Sequence, residues 1–185
     1  MFFRSKQNSS DRDAANRIYT RIVDASRQPA FFTGYGIPDS LDGRFEMLSL
    51  HMFLGLRRFV SGSEADKALA QSVMELFVRD MDAALRDLGV SDIKVPKRMK
   101  TLYGSFGGRI ASYTLAVEAG GDALHAALAR NIFPEGGDDR NVLALADYIA
   151  KALTVLDGTA IDDLRAGGVE FADPEQFRPG DSDNG

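Results

Sequence analysis

The sequence predicts an all-α fold, a single-domain bundle of about six helices around one buried central helix. Three observations carry this. Apolar residues recur at helical spacing in successive stretches, capping residues and glycines or prolines fall between those stretches, and no stretch alternates as a half-buried strand does. There is no internal repeat, and 185 residues with 44% hydrophobic content suit one domain with a substantial core.

Residues 1–10 are polar apart from Phe2 and Phe3, and we expect a flexible N-terminus. The helical domain then spans 11–166. From Asp11 to about Arg27, Ala15, Ile18, Tyr19, Ile22 and Val23 share a helix face, and Pro29 closes it. Residues 29–38 combine turn formers with three aromatics and read as a loop lying across the core. Gly34-x-Gly36 lacks the preceding strand a dinucleotide loop requires.

The central helix runs to Val60. Ser40 can cap it, and Asp42 and Glu46 place negative charge near its positive end. Leu41, Phe45, Leu48, Met52, Leu56 and Phe59 form one stripe, and Met47, Leu50 and Leu54 form another nearly opposite. A helix apolar on two sides is buried on two sides. Between the stripes Arg44, His51 and Arg58 recur at spacing seven as a polar strip, with Gly55 beside them.

Ser63 with Asp66 makes a weak capping box for a third helix ending at Gly89. Asp80 falls on its apolar face, so the spacing predicts a buried pairing with Arg44, His51 or Arg109. Pro96 opens a fourth helix carrying Met99, Leu102, Tyr103, Phe106, Ile110 and Tyr113. Its Gly104, Gly107 and Gly108 imply either a close backbone approach or a kink, since each costs about 1 kcal/mol in a helix interior. A short helix ends near Ile132, and a long one carries Val142, Leu145, Ile149, Leu153 and Leu156 to Gly158. Residues 167–185 read as an acidic flexible tail.

Composition excludes several function classes. Without cysteine there is no disulfide or thiolate metal site, and His51 and His125 alone are a poor start for a metal centre, so no metal and no cofactor is expected. The net charge of −5 resides in residues 162–185, leaving a neutral body unlike a general nucleic-acid binder. No apolar run reaches the roughly 20 residues needed to span a bilayer. No hydrolase elbow, zincin motif or phosphate loop is present, so no catalytic residue is assigned and a non-enzyme is expected. His51 is open to a ligand or base role, although a lone histidine on an apolar helix is commonly a packing residue. Lys94, Lys97, Arg98, Lys100 and Arg109 stand with no acid between positions 93 and 117. They form a basic patch for anionic lipid, RNA of ribosomal type or an acidic protein, or simply a solvated face.

Several blocks in order resemble the ubiquinol-cytochrome c chaperone family: Asp39-x-x-Asp42-Gly43-Arg44-Phe45-Glu46 with Leu50-His51, Asp80-Met81-Asp82-x-x-Leu85-Arg86 with Gly89-Val90-x-Asp92, and Val95-x-Lys97-x-Met99-Lys100. Gly108-Arg109 with Tyr113, and Arg130-Asn131, extend the match over roughly 19–131. Asp87 stands where glutamate is usual, and Gly107 where an aromatic is expected. The resemblance implies an assembly factor of the cytochrome bc1 complex that binds newly made cytochrome b, with a small assembly-factor partner in mitochondrial relatives. It implies Arg44, Glu46, His51, Lys97, Lys100 and Arg109 as a client surface, with Asp80 either on that surface or buried and paired. The implied location is the bacterial cytoplasm, peripheral at the inner membrane, or the matrix side in a mitochondrion.

Overall fold

A computed structural model describes residues 2–179. The described residues form eight α-helices and a 3-10 turn, with no strand: α1 (Phe2–Ser26), α2 (Pro29–Thr33), α3 (Leu41–Val60), α4 (Glu64–Asp87), α5 (Val95–Ala119), α6 (Asp122–Ile132), α7 (Asp139–Gly158), α8 (Ile161–Arg165) and the turn Pro174–Phe177. The expected all-α bundle and its central helix are present.

α3 packs against α1, α4, α5, α6 and α7. Both apolar stripes are used, and from Glu46 to Leu56 every residue is buried. Ser40 caps the helix by accepting the Gly43 amide at 3.1 Å. Two glycines allow its close packing. A Cβ on Gly43 would lie 2.1 Å from the Pro38 carbonyl oxygen, and one on Gly55 would lie 2.8 Å from Ile22 of α1. The Ser63–Asp66 capping box of α4 forms in both directions.

Several boundaries differ from expectation. α1 begins at Phe2 rather than Asp11, because nothing in residues 2–10 is a glycine or proline that would break the helix. The 29–38 loop opens with α2, for which Pro29 supplies a pre-set first position. α5 is continuous through Gly104, Gly107 and Gly108, and a Cβ at any of the three would meet open space. Neither a kink nor an intramolecular close approach accounts for them.

The tail requires the largest correction. Up to residue 179 it is packed rather than free: Val169 is buried, Phe171 and Phe177 pack on the core, and the Tyr35 hydroxyl donates to the Pro174 carbonyl at 2.6 Å. Its acids mask apolar residues that strap the segment across α2 and α7. Residues 180–185 of the expected tail lie outside the described residues.

Candidate functional site

α3 buries Glu46, Ser49 and His51, and Glu46 and His51 each meet a different partner. Glu46 is nearly buried, and Arg109 of α5 reaches it with Nε at 2.9 and 2.7 Å from its two carboxylate oxygens while Nη2 donates to Oε1. This fork-to-carboxylate pairing is the charge-assisted geometry arginine favours, and the bonds to Glu46 raise the Arg109 pKa. Beside it the Tyr113 hydroxyl is buried, its ionisation suppressed chiefly by desolvation and also by the Glu46 charge. One turn along, Arg130 and Asn131 of α6 both donate to the Ser112 hydroxyl, at 2.6 and 3.4 Å. Thus Glu46, Arg109, Tyr113 and Arg130-Asn131, far apart in sequence, form one polar junction of α3, α5 and α6.

His51 is fully buried. Its Nδ1 lies 2.8 Å from the Met47 carbonyl and its Nε2 lies 2.8 Å from the Tyr148 hydroxyl. A carbonyl only accepts, so Nδ1 carries the proton and Nε2 accepts from Tyr148. Phe31, Tyr148 and Phe171 surround the ring with centroids 5.0–5.7 Å apart where they meet it or one another. Burial pulls the His51 pKa down to about 4. Both nitrogens are engaged and the ring reaches no surface, so His51 is a packing residue rather than a contact for a client, and it offers no free base.

The expected polar strip is therefore not one surface. Arg44 is exposed and pairs with Asp39 at 2.6 Å, whereas Arg58 donates to the Leu156 carbonyl at 2.7 Å and to that of Thr159. His51 lies in the middle of α3, where neighbouring helices enclose it, whereas Arg44 and Arg58 lie near its two ends. Asp80 is half-buried rather than buried, and it pairs with none of the three expected partners. It accepts from the Tyr19 hydroxyl of α1 at 2.8 Å, because α4 turns that face toward α1.

Of the five expected basic residues, Arg109 is neutralised by Glu46. Lys94, Lys97, Arg98 and Lys100 are exposed at the start of α5 and make no ion pair among the described residues. They sit against the helix dipole, since the first turn of α5 holds no acid. Along α5 the exposed Lys97, Lys100, Gly104, Gly108 and Leu115 share the outward face.

Sequence reasoning missed two features. Asp66 is buried and held by Arg165 of the following region, with Nε and Nη2 at 2.7 and 2.9 Å from its oxygens, and these bonds with those from Ser63 hold its carboxyl far below the usual range. The second is an apolar groove of about 690 Å³ between α3, α4 and α5. Met52, Phe53, Leu56 and Phe106 form its floor, Met74, Ile110 and Val117 its half-buried walls, and Arg57, Lys67, Gln71 and Glu118 its rim. Arg57 pairs with Asp157 and Lys67 with Glu64, so two rim charges are already matched. Phe106 and Ile110 belong to the expected apolar stripe of α5, and helical spacing alone does not show that they line an open groove.

The family model described as ubiquinol-cytochrome C chaperone matches residues 33–171. The Xenopus laevis protein named ubiquinol-cytochrome-c reductase complex assembly factor 1 is 26% identical over 152 residues, covering 82% of this chain and 76% of the relative. The Homo sapiens protein of that name is also 26% identical over 152 residues, but there the match spans 51% of its length, so this chain corresponds to about half of that relative. The crystal structure of the Cbp3 homolog from Brucella abortus superposes with a TM-score of 0.85 at 39% identity, covering 95% of this chain and 97% of the other.

Proposed function

The chain belongs to the ubiquinol-cytochrome C chaperone family, and from that membership we propose that it assists assembly of ubiquinol-cytochrome c reductase by holding newly made cytochrome b without chemistry of its own. The observation that supports holding rather than turnover is the groove between α3, α4 and α5. Its interior is apolar and methionine-lined, suited to adaptable contact with an apolar client segment. A membrane protein offers such segments before it is fully assembled. The exposed Lys97 and Lys100 near the start of α5, outside the groove, complement acidic client loops. A small partner subunit, where one takes part, has the remaining exposed face of α5 open to it.

No helix among the described residues is long and apolar enough to cross a membrane, and we place the protein at the periphery of the bacterial inner membrane, on its cytoplasmic side, or on the matrix side in a mitochondrion. The ligand-binding alternative built on His51 loses its support, since Phe31, Tyr148 and Phe171 fill the space around the ring.

Affinity capture from membranes in gentle detergent tests this reading. Cytochrome b should co-purify with the wild type, be lost with Met74→Glu/Ile110→Glu, and be weakened with Lys97→Glu/Lys100→Glu, each variant first shown to unfold cooperatively. Failure of the wild type to retain cytochrome b while nascent chains are present overturns the function. Full retention by the groove variant moves the client site elsewhere.

A further inference from the structure

At the corner joining α4 to α5, apolar and basic side chains are presented together. Ile93 is 93% exposed, more than any other large apolar side chain among the described residues, and Leu88 five residues before it is 59% exposed. The turn is held in shape. The Val90 amide donates to the Leu85 carbonyl at 3.0 Å, the Lys94 amide to Ser91 at 2.7 Å, and Arg86 ties Asp92 back to α4. Val95 is buried beneath it as an anchor. In the same short segment Lys94, Lys97, Arg98 and Lys100 are all exposed. Residues 86–100 hold five basic and two acidic side chains, Asp87 and Asp92, for a net charge of +3 on a chain whose total is −5.

We infer that this corner is a membrane-docking site, in which Ile93 and Leu88 enter the headgroup boundary of an anionic bilayer while Lys94 and Arg98 engage lipid phosphates. Charge and exposed apolar surface each select the ligand independently. Charge complementarity selects an anionic surface, and the projecting isoleucine selects one with an apolar interior, which neither an RNA backbone nor a solvated acidic peptide provides. The contact is shallow and reversible, a handful of side chains rather than a spanning element. It places the α4–α5 corner against lipid, while the groove lies toward the other end of these two helices, lined by residues within 67–74 of α4 and 106–118 of α5. The inference deepens the assembly reading, but it is tested without any client, so the two can fail separately.

The chain has no tryptophan, so Ile93→Trp creates a single reporter. With vesicles of phosphatidylglycerol and phosphatidylcholine its emission should shift to the blue and the protein should float with the lipid. Phosphatidylcholine vesicles should give neither. Ile93→Ser should weaken flotation roughly tenfold and Lys94→Glu/Arg98→Glu more than about tenfold, the latter without loss of thermal stability because the acids suit the start of α5. Added salt should release the protein. The inference is overturned if the wild type does not bind anionic vesicles, if the Ile93→Trp protein binds while its tryptophan keeps a water-exposed spectrum, if both the charge and the Ile93→Ser variants bind as the wild type does, or if the wild type retains RNA in preference to lipid.

Discussion

The Tyr148 hydroxyl of α7 donates to Nε2 of His51 on α3 across 2.8 Å, locking the one histidine of the core as a neutral ring. The bond joins helices that are 97 residues apart in the chain and shields the imidazole from protonation.

A pH dependence follows from that bond. Above the ordinary histidine value of 6.5 both the folded and unfolded states are neutral at this position. As pH falls from there toward about 4, the unfolded chain takes up a proton that the native ring refuses, so native stability declines. The decline is at most about 1.4 kcal/mol per pH unit. Denaturant unfolding at several pH values should show this slope in the wild type and lose it in His51→Gln. Equal slopes in both proteins would mean that His51 is charged or open to solvent.

Asp66 answers to a lower window. Its folded pKa lies below the ordinary carboxylate value of 3.8, held down first by Arg165 and then by Ser63, so its stabilisation is complete above that value and lost as pH falls through the folded one. Arg165→Met leaves a buried carboxylate with only its capping partners, at a cost of about 1–2 kcal/mol at neutral pH. The same variant should lose less further stability than the wild type on acidification below pH 4. Thermal melts at neutral and acid pH check both halves, and a variant as stable as the wild type at neutral pH would show the pair to be a solvent-screened contact.

Glycines of α3 and α5 should respond in opposite directions to alanine. At Gly43 the new methyl meets the Pro38 backbone oxygen at 2.1 Å, and backbone cannot rotate away as a side chain can, so Gly43→Ala should cost about 3 kcal/mol. At Gly104 the methyl meets nothing, and Gly104→Ala should add up to about 1 kcal/mol. Chemical denaturation of the two variants settles the order. A stabilised Gly43→Ala protein would mean that the entry into α3 is not held as described.

Much of the fold was legible locally. Ser40 and Asp66 announce the starts of α3 and α4 because a cap acts on amides within its own turn, and the double stripe of α3 is read from side-chain spacing alone. The apolar residues of 169–177 escaped notice because acids surround them, and acidity reports solvation of neighbours rather than the packing of Val169 or Phe171. Lys94 to Lys100 stood out as a charge run, and their exposure agrees with that reading.

The sequence by itself determined the helices, their caps, the central position of α3 and the family to which the chain belongs, since these rest on residues near one another or on ordered blocks. Only the tertiary structure decided which polar groups meet: Glu46 with Arg109, His51 with Tyr148, Asp80 with Tyr19, and Asp66 with Arg165. Helical spacing fixes the angle at which a side chain leaves its own axis, but a partner is chosen by where another helix passes. That choice is set by the packing of the whole core, which also leaves the groove beside α3 open and brings Ile93 to the outside.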